Sequence, residues 1–583
     1  MGWPYEFVDL TSEEKLLRRQ ANDRYAAIAH FSALAPAVLC LLFRLGLAAV
    51  KRVLAGREQR YQEVPGSPVA KARRSGFLHS YETRWRKLTW WMGDDVVFLN
   101  DSWGQRDEWV LGIAWTVWLL LLSVLGTGKG GYYLHLTKRF GAIAVSQMPI
   151  QYLLANKALN PFAWVFKSSH EQVNRYHRVL GRIIYSLLVL HLIFYNIFFI
   201  ASSIWLKRFF APIVFAGVVA FTGLHTLNGT AMREVRRWSY RVFFITHLAA
   251  ALSVPPLIFF HAESARLYVI GALLVFTLDI GVRKILVVTA PSTLERVPGT
   301  DIIRIEATLP ASKVSSFAAR PGSHIYLSIP PSSRPSQNML SPSGLIYEFL
   351  FNPFSVAAVN EKTSTVTLVA RARSGPMTAR LSSLASGTSS SSSSSSDPAP
   401  QVSLNIDGPY GATGKTAQDL LSLKVDRVLL FAGGVGATFA LPIYQALVND
   451  SNSSAAACPK VKLIWAVRSA SDAIWASFLG AKSIIDDDNV ELFLTGDMGV
   501  GHGSSEREGE QSSGLEMDDL RRQSKKRPDV KRIIDDAFRK DNQGSVAVMV
   551  CGPAEMAKDV RDAVRPWVMR DRRVHWHNEA FGW

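Results

Sequence analysis

The sequence predicts a multidomain membrane protein: an α-helical transmembrane bundle of about seven helices, followed by an antiparallel β-barrel and an α/β nucleotide-binding domain. Three observations predict it. Long apolar stretches crowd the first half of the chain, short β-rich runs broken by proline and glycine begin near residue 291, and from Val425 the order becomes strand, glycine turn, helix, strand. The 583 residues leave room for several domains. They are expected at 1–26 (an external amino-terminal segment), 27–290 (the membrane bundle), 291–415 (the barrel) and 416–583 (the nucleotide-binding domain).

Seven stretches are long and apolar enough to span a bilayer: 27–50, 108–127, 139–156, 176–202, 209–227, 242–261 and 267–290. No apolar core follows a basic end in the first twenty residues, so insertion is expected to begin with the first span. The net charge of +17 sits beside the apolar segments, which suits an anionic lipid leaflet rather than nucleic acid. Segment 51–107 is rich in Lys and Arg, and Arg233, Arg236, Arg237 and Arg241 lie on the same predicted side. The opposite loops hold Lys129, Lys138, Arg139, Lys207, Arg208 and Arg266. That asymmetry predicts a cytoplasmic carboxyl half, and it makes the fourth and sixth spans parallel.

Those two spans carry the informative residues. His177 and His191 in one, and His247 and His261 in the other, are each fourteen residues apart. At about 100° and about 1.5 Å per residue, fourteen steps return to nearly the same helix face roughly 21 Å further along. Parallel helices side by side therefore offer two opposed imidazole pairs at two depths, the arrangement two stacked bis-histidine haems require. A lone intramembrane histidine such as His30 or His225 is better read as a packing residue. Four at matched spacing are not, because a polar side chain in a bilayer is costly without a partner or a task. Pro255 and Pro256 should kink the second helix and displace the outer pair.

In the second half, Ser389–Ser396 and residues 499–526 cannot bury a core and are expected to be flexible insertions. Cys40, Cys458 and Cys551 are too scattered for a disulfide framework or zinc site. Residues 428–443, VLLFAGGVGATFALPI, run from a buried strand through Gly433, Gly434 and Gly436 into a helix, where a backbone free of side chains can approach a pyrophosphate. Strand-like segments at 463–468, 492–496 and 548–553 follow in order.

With these motifs in place, the chain resembles the fungal ferric reductases, within the superfamily that includes the NADPH oxidases. The paired histidines look like that family's haem ligands. Arg320-Pro321-Gly322-Ser323-His324-Ile325 and Asp407-Gly408-Pro409-Tyr410-Gly411 resemble the edges of its flavin barrel. Asn352-Pro353-Phe354-Ser355 is similar to its His-Pro-Phe-Ser/Thr flavin motif, with asparagine replacing histidine. The resemblance implies a ferredoxin-NADP reductase-like module in which Pro353, Phe354, Ser355 and Gly408 face FAD, and Arg373, Gly375 and Thr378 hold its pyrophosphate. It implies that Gly433, Gly434, Gly436, Thr438, Gly552 and Pro553 bind NADPH, and that Arg468 selects its 2′-phosphate. Arg527-Pro528-Asp529 follows the family pattern too. Cys551, Phe581 and Trp583 would lie along the hydride path or against the rings, and His177, His191, His247 and His261 would ligate two haem b.

The implied reaction is electron transfer from cytosolic NADPH through FAD and two haems to external Fe(III) chelates or Cu(II), with an iron oxidase/permease system downstream. The membrane implied is the plasma membrane, with the vacuole second. Fourteen-residue spacing in both helices and the ending in Glu579, Phe581 and Trp583 resemble the metal reductases more than the superoxide-forming oxidases, which shorten one spacing. A superoxide-generating NADPH oxidase is the first rival. The second is a transporter or receptor whose soluble half only senses nucleotide.

Overall fold

The computed structural model describes residues 7, 9–58, 77–99, 101–126, 133–335, 347, 348, 350–373, 375–390, 401–411, 420, 425–453, 459–479, 484, 487–496, 527–540 and 544–579. It divides into two units, Met1–Ile285 and Leu286–Trp583.

The first unit is helical. Its elements are α1 (Ser12–Glu58), α2 (Phe77–Met92), the hairpin β1 (Asp95–Phe98) and β2 (Asp101–Gln105), α3 (Arg106–Val124), α4 (Tyr133–Ser146), α5 (Met148–Ala155) and α6 (Pro161–Phe166). There follow α7 (His170–Ala201), α8 (Trp205–Phe209), α9 (Pro212–Thr230), α10 (Arg233–Trp238), α11 (Tyr240–His261) and α12 (Arg266–Leu286). Thr11 and Glu14 start α1 reciprocally: the hydroxyl accepts from Glu14 N–H at 3.3 Å, and the carboxylate accepts from Thr11 N–H at 2.8 Å. The helix thus begins at Ser12 rather than near residue 27.

Among the described residues, five helices are long and apolar enough to cross a membrane: Ser12–Val50, α3, α7, α9 and α11. The expectation of about seven is corrected at two places. The stretch 139–156 is divided between α4 and α5, because Pro149 has no N–H for the Val145 carbonyl and the chain tightens at Gln147, whose N–H bonds Ala144 O. The stretch 267–290 is helical for 21 residues with Arg266, but it carries Asp279, Arg283 and Lys284 and gives way to a strand at Val288. Asp279 is buried and accepts from the backbone N–H groups of Lys157, Ala158 and Leu159 at 3.3, 2.9 and 2.8 Å. It fixes the turn between α5 and α6.

The two prolines of α11 lie inside a helix that runs on to His261. Pro255 cannot donate to Ala251 O, and the Tyr152 hydroxyl donates to that carbonyl instead, at 2.6 Å. Tyr152→Phe is expected to leave the carbonyl without this donor and to cost about 1–3 kcal/mol. A lowered Tm in a detergent-solubilised thermal melt would show it, and an unchanged Tm would remove Tyr152 from this role.

The second unit is a barrel and a sheet. Strands β3 (Val288–Arg296), β4 (Ile302–Thr308), β5 (His324–Ser328), β6 (Asn352–Asn360), β7 (Thr365–Arg371) and β8 (Val402–Tyr410) close in the order β3-β4-β7-β6-β5-β8, every pairing antiparallel. Alternating residues such as Ile303, Ile305, Ile325, Leu327 and Leu404 fill its interior. The barrel also carries α13 (Ala311–Ala318) and α14 (Pro376–Ser390). Strands β9 (Arg427–Gly433), β10 (Lys460–Val467), β11 (Val490–Leu494), β12 (Val546–Cys551) and β13 (Val574–Glu579) form a parallel sheet ordered β11-β10-β9-β12-β13. Its helices are α15 (Ala437–Ser453), α16 (Val530–Arg539) and α17 (Ala554–Met569). Asp529 caps α16, accepting from Arg532 N–H at 3.0 Å. Residues 391–396 of the serine run, residues 499–526 and Cys458 lie outside the described residues.

Candidate functional site

The four predicted histidines come together in two pairs. Helices α7 and α11 place the rings of His177 and His247 with centres 6.0 Å apart, and those of His191 and His261 with centres 6.5 Å apart. Three of the four rings are oriented by the backbone. Nδ1 of His177 meets Gln151 O at 2.8 Å, that of His191 meets Thr137 O at 2.7 Å, and that of His261 meets Ile213 O at 2.7 Å. A carbonyl only accepts, so each of these Nδ1 atoms carries the proton and each Nε2 keeps its lone pair for a metal. His247 Nδ1 is buried without a hydrogen-bond partner among the described residues.

The donor set and its spacing fit haem. Two metal–imidazole bonds of about 2 Å, plus a little over 1 Å from each ring centre to its nitrogen, require centres about 6.3 Å apart. The observed separations bracket that value. Pro255 and Pro256 do not displace the outer pair, contrary to expectation. Midway between the two levels the same stripes present Ile184 and Val254, both buried.

The sequence reading missed what holds these rings. A Cβ on Gly141 would lie 2.8 Å from the His191 ring, and one on Gly217 would lie 2.4 Å from that of His261. Isolated glycines inside apolar helices were the available signal. The Gln151 side-chain amide donates to His177 O at 3.0 Å and sits 3.4 Å from its Nε2. His30 and His225 are partnered by Ser146 O at 2.8 Å and by the Tyr185 hydroxyl at 2.7 Å.

On the barrel, Asn352, Pro353, Phe354 and Ser355 open β6 against β5, with His324 opposite Ser355. Gly408 has φ +155° and packs so closely that a Cβ would lie 3.2 Å from His324 O. Arg373, Gly375 and Thr378 gather at the start of α14. The Thr378 hydroxyl donates to Arg373 O at 2.8 Å and lies 3.3 Å from Gly375 O. A helix amino end preceded by an exposed arginine suits a pyrophosphate.

In the sheet, β10 and β12 leave β9 on opposite sides, which opens a crevice at the strands' carboxyl ends. Gly433, Gly434 and Gly436 line one edge, and Cys551, Gly552 and Pro553 the other. A Cβ on Gly436 would stand 2.2 Å from Cys551 O, and one on Gly433 2.6 Å from Pro553 Cδ. The Trp465 indole donates to Gly434 O at 3.0 Å and holds the turn, where Gly434 has φ +54°. Thr438 is buried with its hydroxyl on Val435 O. Arg468 is exposed just beyond β10, and its carbonyl accepts from Gly496 N–H at 3.0 Å.

Burial, with Glu579 nearby, pushes the Cys551 thiol far above its ordinary range, so it is a neutral lining group rather than a nucleophile. Glu579 faces it across β12 and β13 and pairs with His577 at 2.9 Å. The sequence reading took Glu579 only as part of the tail that resembles the family's and gave His577 no role, although His575, His577 and Glu579 alternate along one strand. Phe581 and Trp583 lie outside the described residues.

Comparison with known proteins gives three matches in the same order. The ferric reductase like transmembrane component matches residues 140–272, an FAD-binding domain residues 289–414, and the ferric reductase NAD binding domain residues 425–565. The chain is similar to the "Probable metalloreductase AIM14" of Meyerozyma guilliermondii, at 24% identity over 77% of this chain and 85% of that one. It is also similar to "Ferric/cupric reductase transmembrane component 2" of Schizosaccharomyces pombe, at 24% identity over 79% and 85%. "Ferric reductase transmembrane component 3" of Saccharomyces cerevisiae matches at 21% identity over 77% of this chain and 62% of that one. With apolar helices, a closed barrel and a parallel sheet in that order, the chain carries a ferric reductase transmembrane domain, an FAD-binding domain and a ferric reductase NAD-binding domain.

Proposed function

We propose that this protein is a transmembrane ferric-chelate reductase, with Cu(II) as a second metal, that draws electrons from NADPH and delivers them across the membrane. FAD supplies the exchange between two-electron and one-electron steps, and two haem b supply one-electron carriage. The chain's own residues divide the work. The glycine turn at 433–436 and the Cys551-Gly552-Pro553 edge admit the nicotinamide nucleotide, and Thr438 supports the turn. Arg468 meets the 2′-phosphate, where a planar guanidinium is suited to bind. Pro353, Phe354, Ser355 and Gly408 shape the flavin cleft, and Arg373, Gly375 and Thr378 receive the pyrophosphate. By resemblance, the tail residues Phe581 and Trp583 are assigned to act on the flavin or nicotinamide ring. His177 with His247, and His191 with His261, are the metal ligands at the two levels.

On this reading the carboxyl half is cytoplasmic, in keeping with the Lys and Arg of segment 51–107. The membrane is the plasma membrane, with the vacuole as the second location, and the Fe(II) formed would supply an oxidase/permease system.

The observation that carries the proposal is the pair of imidazole separations, 6.0 and 6.5 Å, with Nδ1 anchored on three of the four rings. Haem quantitation with a dithionite-reduced spectrum tests it: two low-spin haems per chain are expected, and colourless intact protein would refute it. Arg468→Gln tests the nucleotide. The preference for NADPH over NADH is expected to fall by about tenfold or more, the loss of a charge-assisted contact worth about 1.5–3 kcal/mol. An unchanged ratio of the two kcat/KM values would remove Arg468 from that role.

A further inference from the structure

The end of the helical unit that bears His191 and His261 gathers positive charge from three elements, α1, α4 and α8. Thr137, whose carbonyl orients His191, is followed by the exposed Lys138. Helix α1 is docked beside it: buried Arg139 donates from Nε to Asn22 Oδ1 at 3.2 Å, and its guanidinium lies 4.1 Å from the centre of the Tyr25 ring. The preceding turns of α1 thereby bring Lys15, Arg18 and Arg19 within electrostatic reach of Lys138. Tyr195, whose ring centre is 4.9 Å from that of His191, is within reach of Arg18 and of Arg208 from α8.

Three of the carboxylates at this end are already engaged. Glu263 meets Arg19 at 3.8 Å, Asp23 is close to Arg19, and Glu14 is taken up by Thr11. Among the described residues, no salt bridge takes Lys15, Arg18, Lys138 or Arg208.

Such a surface discriminates by charge. Unshielded Fe³⁺ or Cu²⁺ would be repelled by these cations, and the carboxylates that could ligate it are taken up by Arg19 and Thr11. A metal wrapped in carboxylates carries net negative charge and would be drawn in, and charge steering raises association by about 10- to 1,000-fold.

We propose that the acceptor is taken as an anionic polycarboxylate complex of Fe(III), guided to the His191 level by Lys15, Arg18, Lys138 and Arg208. The proposal rests on the reductase reading above and names the form of its substrate. One NADPH gives up a hydride, becoming NADP⁺ with release of one proton. Its two electrons reduce two Fe(III) complexes to Fe(II), each product one charge more negative.

The test uses full-length protein in nanodiscs of neutral lipid. NADPH-driven reduction of ferric citrate should fall as ionic strength rises, while reduction of the cationic complex hexaammineruthenium(III) should rise. A Lys138→Gln/Arg18→Gln variant should lose about tenfold in kcat/KM for ferric citrate. It should keep its haem content and its reduction of artificial flavin acceptors. Redox-inert gallium(III) citrate, followed by equilibrium dialysis, should be retained by the natural protein and lost from the variant.

Rates indifferent to acceptor charge and salt would overturn the inference and leave the reductase reading intact. So would a dependence on these side chains that emerges only with anionic lipid, because the charges would then serve headgroups. Failure to reduce either complex while flavin acceptors are still reduced would bring down the reductase reading and this inference together.

Discussion

His191→Ala is expected to reduce bound haem from two to one per chain and to lower reduction of external acceptors by at least about a hundredfold. The figure follows from removing a step that all transferred electrons must take, since each factor of ten is about 1.4 kcal/mol of barrier. NADPH oxidation by artificial flavin acceptors should persist, because the barrel and the parallel sheet belong to the other unit. The measurements are the pyridine haemochrome content and the two rates side by side. The ligand substitution alters the imidazole while leaving its backbone support in place, with Thr137 O and Gly141 untouched. Full haem content in a folded variant would exclude His191 as a ligand.

Gly436→Ala should do the reverse. The added Cβ would lie 2.2 Å from Cys551 O and 2.8 Å from Cys551 C, both backbone atoms in a parallel sheet that cannot swing aside. Relief requires parting the glycine turn from the end of β12, which is where the nicotinamide nucleotide is proposed to enter. Hydride transfer from NADPH, followed by stopped-flow bleaching of the flavin, is expected to slow by about a hundredfold or more, since small misplacements of reacting groups are that costly. Haem content and dithionite-reduced spectra should be normal. Natural bleaching rates would mean that the close approach of Gly436 to Cys551 has no bearing on the nucleotide.

Much of this arrangement was legible in the sequence because it rests on periodicity. Fourteen-residue spacing brought His177 and His191, and His247 and His261, onto common stripes, and the structure faces the rings across two parallel helices. Gly433, Gly434 and Gly436 after an apolar strand marked the crevice edge, since only a turn free of side chains tolerates the approach of Cys551.

What was not legible depends on contacts between distant segments. Hydropathy could not show that Pro149 would divide 139–156, because both halves are apolar. Pro255 looked like a kink because its partner, the Tyr152 hydroxyl, lies about a hundred residues earlier in the chain. The Gln151, Thr137 and Ile213 carbonyls that orient three histidines are backbone atoms and leave no residue-type signature. The positive cluster near His191 is divided among the first turns of α1, the start of α4 and the short helix α8, so no single stretch announced it.

The stripes between the histidine levels have a consequence for bioenergetics. Leu180, Gly181, Ile184, Leu187 and Leu188 on α7, and Ala250, Ala251, Val254, Leu257 and Ile258 on α11, contain no ionisable group. Along this route electrons would travel without accompanying protons, so on the proposed reading each turnover is electrogenic. A cell interior held negative would push that current outward, contributing about 2.3 kcal/mol per electron for every 100 mV. Depolarising the membrane should therefore throttle iron reduction even where the reduced nicotinamide supply is undiminished.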